Sequence, residues 1–182
     1  MLKSILVVVD MQNDFIQGSL GSSEAVGIVE NVKKKIEEHK NKGSLIVATL
    51  DTHDNNYLST LEGKLLPVPH CIEGSWGHEI NEEVKLALPL ETLYAKKTTF
   101  ASFSLIDHIG SYIKSEGSEQ NSTELEIIGL CTDICVVSNA LLLRSAFPNM
   151  KITVFSNACA GTTKEKHFAT LEVMKSCQIN VD

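Results

Sequence analysis

Two hydrophobic rhythms alternate along this chain. The first is a short continuous run of β-branched and leucine side chains, the mark of a strand covered on both faces. Such runs occupy residues 5–9, 45–50, 126–130 and 152–155, with weaker candidates at 92–95 and 178–181. The second rhythm is helical. Residues 24–42 carry Val26, Val29, Val32 and Ile36 on one stripe, and Gly43 supplies a stop. Shorter helices are predicted over 80–88 (ended by Pro89), 105–114, 136–144 (ending near Pro148) and 164–176. The polar stretch 115–123 reads as an exposed loop. There is no repeat, low-complexity tract or linker.

Strand and helix therefore alternate. That order predicts a three-layer α/β/α fold with a mostly parallel sheet, built as one domain over residues 1–182. Ligands of such folds bind beyond the carboxyl ends of the strands. The polar residues just after each strand should then share one cleft. They are Asp10, then Asp51 and His53, then Lys96 and Lys97, then Cys135. Any one of them is readily explained as a turn residue or helix cap. Together they offer an acid, a metal-binding pair, a base and a thiol.

Composition narrows the partners. Lys and Arg total 16 against 23 Asp and Glu, a formal charge of -7, which argues against nucleic acid or an anionic membrane. The run over 5–9 is too short for a signal-peptide core or a membrane span. The five cysteines are odd in number and make no disulfide ladder, so reduced thiols in the cytoplasm are expected. Cys131 and Cys135 have no second Cys/His pair to complete a structural zinc site.

Cys135 stands where a buried strand is predicted to turn into a helix. A thiol there faces unpaired N–H groups and the positive end of the helix dipole, which lower its pKa. The same N–H groups can hold an oxyanion. A free cysteine is as readily a small, inert core residue, so the other strand ends decide the reading.

The segments VDMQNDF at 9–15, DTH at 51–53, LPVPHCIEGSWG at 66–77, KTTFASF at 97–103 and GLCTDICV at 129–136 resemble, in this order, the isochorismatase-like cysteine hydrolases, and most of all their nicotinamidase branch. The resemblance implies a catalytic triad of Asp10, Lys97 and Cys135. Lys97 is preferred to Lys96 because the family's lysine stands six before the final phenylalanine, here Phe103. It implies an oxyanion hole from the N–H groups of Cys131 and Cys135, with a non-proline cis peptide before Cys131. Relatives mostly carry a small residue at that place. A cysteine there sets a second thiol beside the nucleophile, and a Cys131–Cys135 disulfide is a conceivable inactivating route.

Asp51, His53 and His70 supply two imidazoles and a carboxylate, a set that suits zinc foremost, or iron or manganese. Glu62 in the intervening loop is a candidate fourth ligand. In relatives the metal binds a pyridine nitrogen. Phe15 and Phe100 match aromatic pocket positions. Relatives often carry tyrosine where Phe100 stands and a tryptophan shortly before the metal histidine; here the only tryptophan, Trp76, follows it. His39, His78 and His108 read as solvent-exposed, His167 as structural, and Phe103, Phe155 and Phe168 as core.

The expected activity is hydrolysis of nicotinamide, and of pyrazinamide, to the acid and ammonia through a cysteine thioester, feeding nicotinamide back into the NAD supply. A homo-oligomer is compatible with the sequence. The rivals are a related amidase for another small carboxamide or carbamoyl compound, a catalytically silent binding domain, and a thiol redox sensor.

Overall fold

The computed structural model describes residues 3–182. Strand β1 (Lys3–Val9) lies in the middle of the sheet, because it is apolar on both faces. A short helix α1 (Asn13–Ile16) follows. Then comes α2 (Ser23–Lys42), capped by the Ser22 hydroxyl accepting from the Ala25 N–H and closed by Gly43 in the left-handed conformation. Next are β2 (Leu45–Asp51), α3 (Leu61–Leu65), α4 (Glu82–Ala87), β3 (Leu93–Lys97) and α5 (Ser104–Ser115). The chain finishes with β4 (Thr123–Leu130), α6 (Val137–Ala146), β5 (Lys151–Ala160), α7 (Lys164–Ser176) and β6 (Asn180–Val181).

All strand pairs are parallel, in the order β3-β2-β1-β4-β5-β6. Side chains alternate across the sheet with period two. Ile5, Val7, Leu125 and Ile127 pack one face against α5, α6 and α7 through Ile109, Leu143 and similar residues. Leu6, Val8 and Ile128 pack the other against Val29 and Val32 of α2 and Val84 of α4. These are the three layers that the alternation predicted. The chain direction across the sheet reverses between β1 and β4, which opens a crevice at their carboxyl ends.

Several burial expectations are corrected. On α2 the buried stripe runs through Ala25, Ile28, Val29, Val32 and Ile36, while Val26 is 47% exposed. Phe103 and Phe168 are exposed, whereas the half-buried Phe155 packs against the core as expected, with Lys35 Nζ 3.4 Å from its ring centroid. His39 is not on the surface. It is fully buried, with Nε2 2.9 Å from Glu126 Oε2 and Nδ1 3.3 Å from Ser4 Oγ. Burial alone would raise the Glu126 carboxyl, but the His39 bond and the charges of His39, Lys35 and Lys42 together outweigh it and hold it below its ordinary value. His78 is half-buried, with Nε2 2.9 Å from Thr52 Oγ1, and His108 is half-buried too.

Candidate active site

Sheet order sets four strand ends in a row. The register pairs Asp51 with Lys97, Ala48 with Val8 and Val9 with Gly129. Lys97 from β3 thus reaches across β2 and β1. Its Nζ lies 3.1 Å from Asp51 Oδ1, 2.8 Å from Asp10 Oδ2 and 3.5 Å from Cys135 Sγ. All four residues are buried. Lys96, next to it, is exposed and pairs with Glu73 at 2.5 Å.

Asp10 is held on both sides. Its N–H donates to Thr49 Oγ1 at 3.1 Å, and the Thr49 hydroxyl donates to its Oδ1 at 2.6 Å. Its backbone is left-handed (φ 48°), a conformation that Asp tolerates better than most residues. Oδ2 meets the Lys97 ammonium as a buried ion pair at 2.8 Å.

The charges shift one another. Burial raises the Asp10 carboxyl above its ordinary value against the pull of Lys97, which makes it a stronger base than a solvated aspartate. Burial disfavours the Lys97 charge, but Asp10, Cys135 and Asp51 outweigh it and raise its pKa. The thiol departs from the sequence expectation. Burial first, and then the Asp10 charge, push Cys135 well above its ordinary value, with Lys97 pulling the other way. Cys135 therefore rests as a thiol, with the Asp10 carboxylate beside it.

The turn that carries Cys135 is fixed from several directions. Gly129 has φ 119°, and a Cβ there would stand 2.1 Å from the Val9 carbonyl, so only glycine lets β4 pass β1 so closely. The Leu130–Cys131 peptide is cis. The Cys131 carbonyl accepts from both the Ile134 and the Val136 N–H at 3.0 Å, a wide turn that holds Cys135. Asp133 accepts from the Thr162 N–H at 2.8 Å and its hydroxyl at 2.6 Å, and Thr132 Oγ1 lies 2.8 Å from His167 Nδ1.

Asn139, one turn further on, is fully buried. Its Nδ2 donates to the Cys135 carbonyl at 2.8 Å and the Phe100 carbonyl at 3.3 Å, and its Oδ1 accepts the Ser102 N–H at 2.9 Å. The amide ties the Cys135 turn to the loop after Lys97. Asn139→Leu keeps the branched heavy-atom skeleton and strands these partners, so it should cost about 2–4 kcal/mol of stability. Urea unfolding measures this; an unchanged midpoint would show that the three bonds carry no net stability.

Beside this group, ligand atoms of Asp51, His53 and His70 lie within 4.8 Å of one another. Asp51 Oδ2 is 3.0 Å from His53 Nε2 and 3.4 Å from His70 Nε2, while Glu62 Oε1 lies 3.9 and 3.7 Å from the two imidazoles. Burial would raise the Asp51 carboxyl, but hydrogen bonds from both histidines and the Lys97 charge outweigh it and hold it well below the usual range. The His70 Nδ1–H donates to the Val68 carbonyl at 2.8 Å, which turns the Nε2 lone pair toward the cluster. This convergence of two imidazoles and a carboxylate fits a tetrahedral divalent metal with a position left open.

Sequence reading passed over three supporting residues here. Gln12, fully buried, brackets the Asp51 backbone: Nε2 donates to the Asp51 and His78 carbonyls at 2.9 and 2.8 Å, and Oε1 accepts the Asp51 N–H at 2.8 Å. Tyr57 packs its ring 4.7 Å from that of His53 and 4.9 Å from that of His70. Asp14 Oδ2 accepts the Cys71 N–H at 2.8 Å and so anchors the residue after His70. Gln12 and Asp14 carried the usable signal, two polar side chains directly after a core strand. Tyr57 carried none.

A cavity of about 340 Å³ joins both groups. Asp51, Glu62, His70, Cys131 and Cys135 line its reactive end, and Phe15 and Phe100 its walls. Trp76 does not reach it and is 57% exposed.

The isochorismatase domain pattern matches residues 4–181. A nicotinamidase/pyrazinamidase of Bacillus subtilis superposes with a TM-score of 0.83 at 27% identity, covering 98% of each chain. A pyrazinamidase of Pyrococcus horikoshii in complex with zinc superposes with a TM-score of 0.79 at 27% identity, over 99% of this chain and 98% of that one. An Arabidopsis thaliana protein described as a probable inactive nicotinamidase is 30% identical over 94% of this chain and 87% of its own length. Among the described residues, no helix is long and apolar enough to cross a membrane.

Proposed function

The chain belongs to the isochorismatase domain family, and from that premise we propose that it is a metal-dependent nicotinamidase, converting nicotinamide (and pyrazinamide) to the acid and ammonia. The observation that carries the reading is one cavity lined by Cys135, which adjoins Asp10 and Lys97, and by Asp51 and His70 of the Asp51–His53–His70 cluster. The intact triad set opposes a silent binding domain, and the metal cluster would be idle in a redox sensor. No Lys or Arg lines the cavity among the described residues, while two carboxylates, Asp51 and Glu62, do. That lining favours an uncharged carboxamide over an anionic carbamoyl amino acid.

Chemistry follows from the residues in place. Asp10 takes the Cys135 proton, and Lys97 balances the charge as Sγ bonds to the carboxamide carbon. N–H groups of Cys131 and Cys135 receive the oxyanion. Asp10 returns the proton to the amide nitrogen as the C–N bond breaks, and ammonia leaves a thioester. A water then gives its proton to Asp10 and its oxygen to the acyl carbon. The S–C bond breaks, releasing the acid and restoring the thiol. Asp51, His53 and His70, with Glu62 nearby, would hold the metal, zinc foremost, whose Lewis acidity anchors the pyridine nitrogen when bound.

Ammonia release from nicotinamide tests the reading directly; release from N-carbamoyl amino acids but not from nicotinamide would overturn it. His53→Ala and His70→Ala should each lose the bound metal and raise the KM for nicotinamide about tenfold or more. Benzamide, lacking the ring nitrogen, should be a poor substrate. Metal analysis finding a full complement in both variants would remove the site.

A further inference from the structure

Two N–H groups that receive one oxygen must keep a fixed spacing, and Cys131 and Cys135 stand at opposite ends of one turn. Backbone bonds inside the turn fix part of that spacing. The Cys131 carbonyl takes the N–H groups of Ile134 and Val136, on either side of Cys135. The rest is fixed from outside. Leu130 and Ala160 are register partners at the ends of β4 and β5, so the segment leaving β5 starts level with the turn. Asp133 accepts the Thr162 N–H on Oδ1 at 2.8 Å and the Thr162 hydroxyl on Oδ2 at 2.6 Å. Thr132, fully buried, sets its Oγ1 2.8 Å from Nδ1 of His167 on α7. Gly161 lets the two sides meet: a Cβ there would stand 2.9 Å from Asp133 Oδ1 and 3.0 Å from His167 Cβ. The start of α7 is itself capped, Thr163 Oγ1 accepting the Lys166 N–H at 3.2 Å and the Thr163 carbonyl the His167 N–H at 2.9 Å.

These contacts grip the middle of the turn, residues 132 and 133, rather than its thiol. Among the described residues that line the cavity, neither Asp133 nor His167 appears, so neither is placed to touch a substrate. We propose, resting on the nicotinamidase reading, that Asp133 and His167 are positioning residues for the oxyanion. Through Thr162 and Thr132 they hold the Cys131 and Cys135 N–H groups at the spacing a tetrahedral intermediate needs. The work then divides in two: Asp10 and Lys97 govern the sulfur, and the segment 161–167 governs the oxygen. Loss of one oxyanion donor costs about 10²–10³ in kcat, and a misplacement of about 1 Å can cost about 100-fold. A turn loosened on one side should therefore cost about 10–100-fold.

The test uses the metal-loaded protein. Asp133→Ala removes both bonds to Thr162, and His167→Phe removes the bond to Thr132. Each should lower kcat for nicotinamide about 10–100-fold with KM within about threefold of the wild type. Alkylation of Cys135 by iodoacetamide should keep its wild-type profile against pH in both, which also reports an intact fold. Pyridine-3-carbaldehyde reads the oxyanion site itself. The Cys135 sulfur bonds to its carbonyl carbon, the C=O π bond breaks and the thiol proton passes to the oxygen, which then lies where an oxyanion would. Its affinity should fall in step with kcat. Asp133→Asn is the conservative variant: its side-chain oxygen accepts the Thr162 N–H and its amide donates to the hydroxyl oxygen, so most of the turnover should return. The two contacts are independent, so loss of fold in one variant leaves the other to decide. Wild-type kcat in both Asp133→Ala and His167→Phe, an alkylation profile that moves with kcat, an unchanged aldehyde affinity, or an Asp133→Asn as slow as Asp133→Ala overturns the proposal. Failure of the wild type to hydrolyse nicotinamide overturns instead the function on which it rests.

Discussion

Replacing Cys135 by alanine is expected to lower nicotinamide turnover by roughly 10⁴-fold or more, because it removes the thiol that Lys97 Nζ approaches to 3.5 Å beside the Asp10 carboxylate. Folding should survive. The substitution removes one buried sulfur and should cost about 1 kcal/mol, or about 3 °C in Tm for a chain of this size. Cys135→Ser should be nearly as inactive, since a hydroxyl surrenders its proton far less readily to Asp10. Cys131→Ala is the control. Cys131 lines the same cavity, but its expected contribution is a backbone N–H, which alanine retains. Activity surviving in Cys135→Ala and vanishing in Cys131→Ala would transfer the nucleophile. Mass spectrometry of a quenched reaction should place the acyl adduct on Cys135.

Asp10→Asn and Lys97→Met should each lower turnover by about 10³-fold or more, and together by little more than the worse single change, because the three groups act as a unit. Their effects on the thiol should be opposite. Burial and the Asp10 charge raise the Cys135 pKa, and Lys97 lowers it. Removing Asp10 should therefore move alkylation of Cys135 by a small electrophile to lower pH, although catalysis is lost. Removing Lys97 should move it to higher pH. Lys97→Met also leaves Asp10 and Asp51 buried without their cation, at a cost of about 3–5 kcal/mol, so the profile is to be taken well below the unfolding temperature. Alkylation profiles that coincide in the wild type and Lys97→Met would show that the ammonium does not act on the thiol.

The elements that periodicity exposes are those with a long apolar pattern. The predicted helix 164–176 has the limits of α7, and the predicted strand 5–9 lies inside β1. The short helices α1 and α3 went unseen, because four or five residues cannot display a 3.6-residue period. Strand β5 runs five residues past its predicted end, through the polar Ser156 and Asn157 and a register shift against β4. Within the site, the rule that parallel sheets bind at strand ends brought Asp10, Asp51, Lys97 and Cys135 into view. What it could not supply was environment. His39 looks like any helix-surface histidine until Glu126 and Ser4 close over it. Cys135 has a helix start beside it, but burial and a neighbouring carboxylate outweigh that in setting its pKa.

The sheet order also bears on how the chain is made. Within the sheet, β1 is synthesised before its neighbours, yet it ends with one on each side. Its partner β2 begins at Leu45 and can pair early, whereas its other partner, β4, begins at Thr123. For all the synthesis between, one edge of the most apolar strand stays open, a template for pairing with other chains. Nascent chains stalled before β4 should therefore be the form that most requires a chaperone.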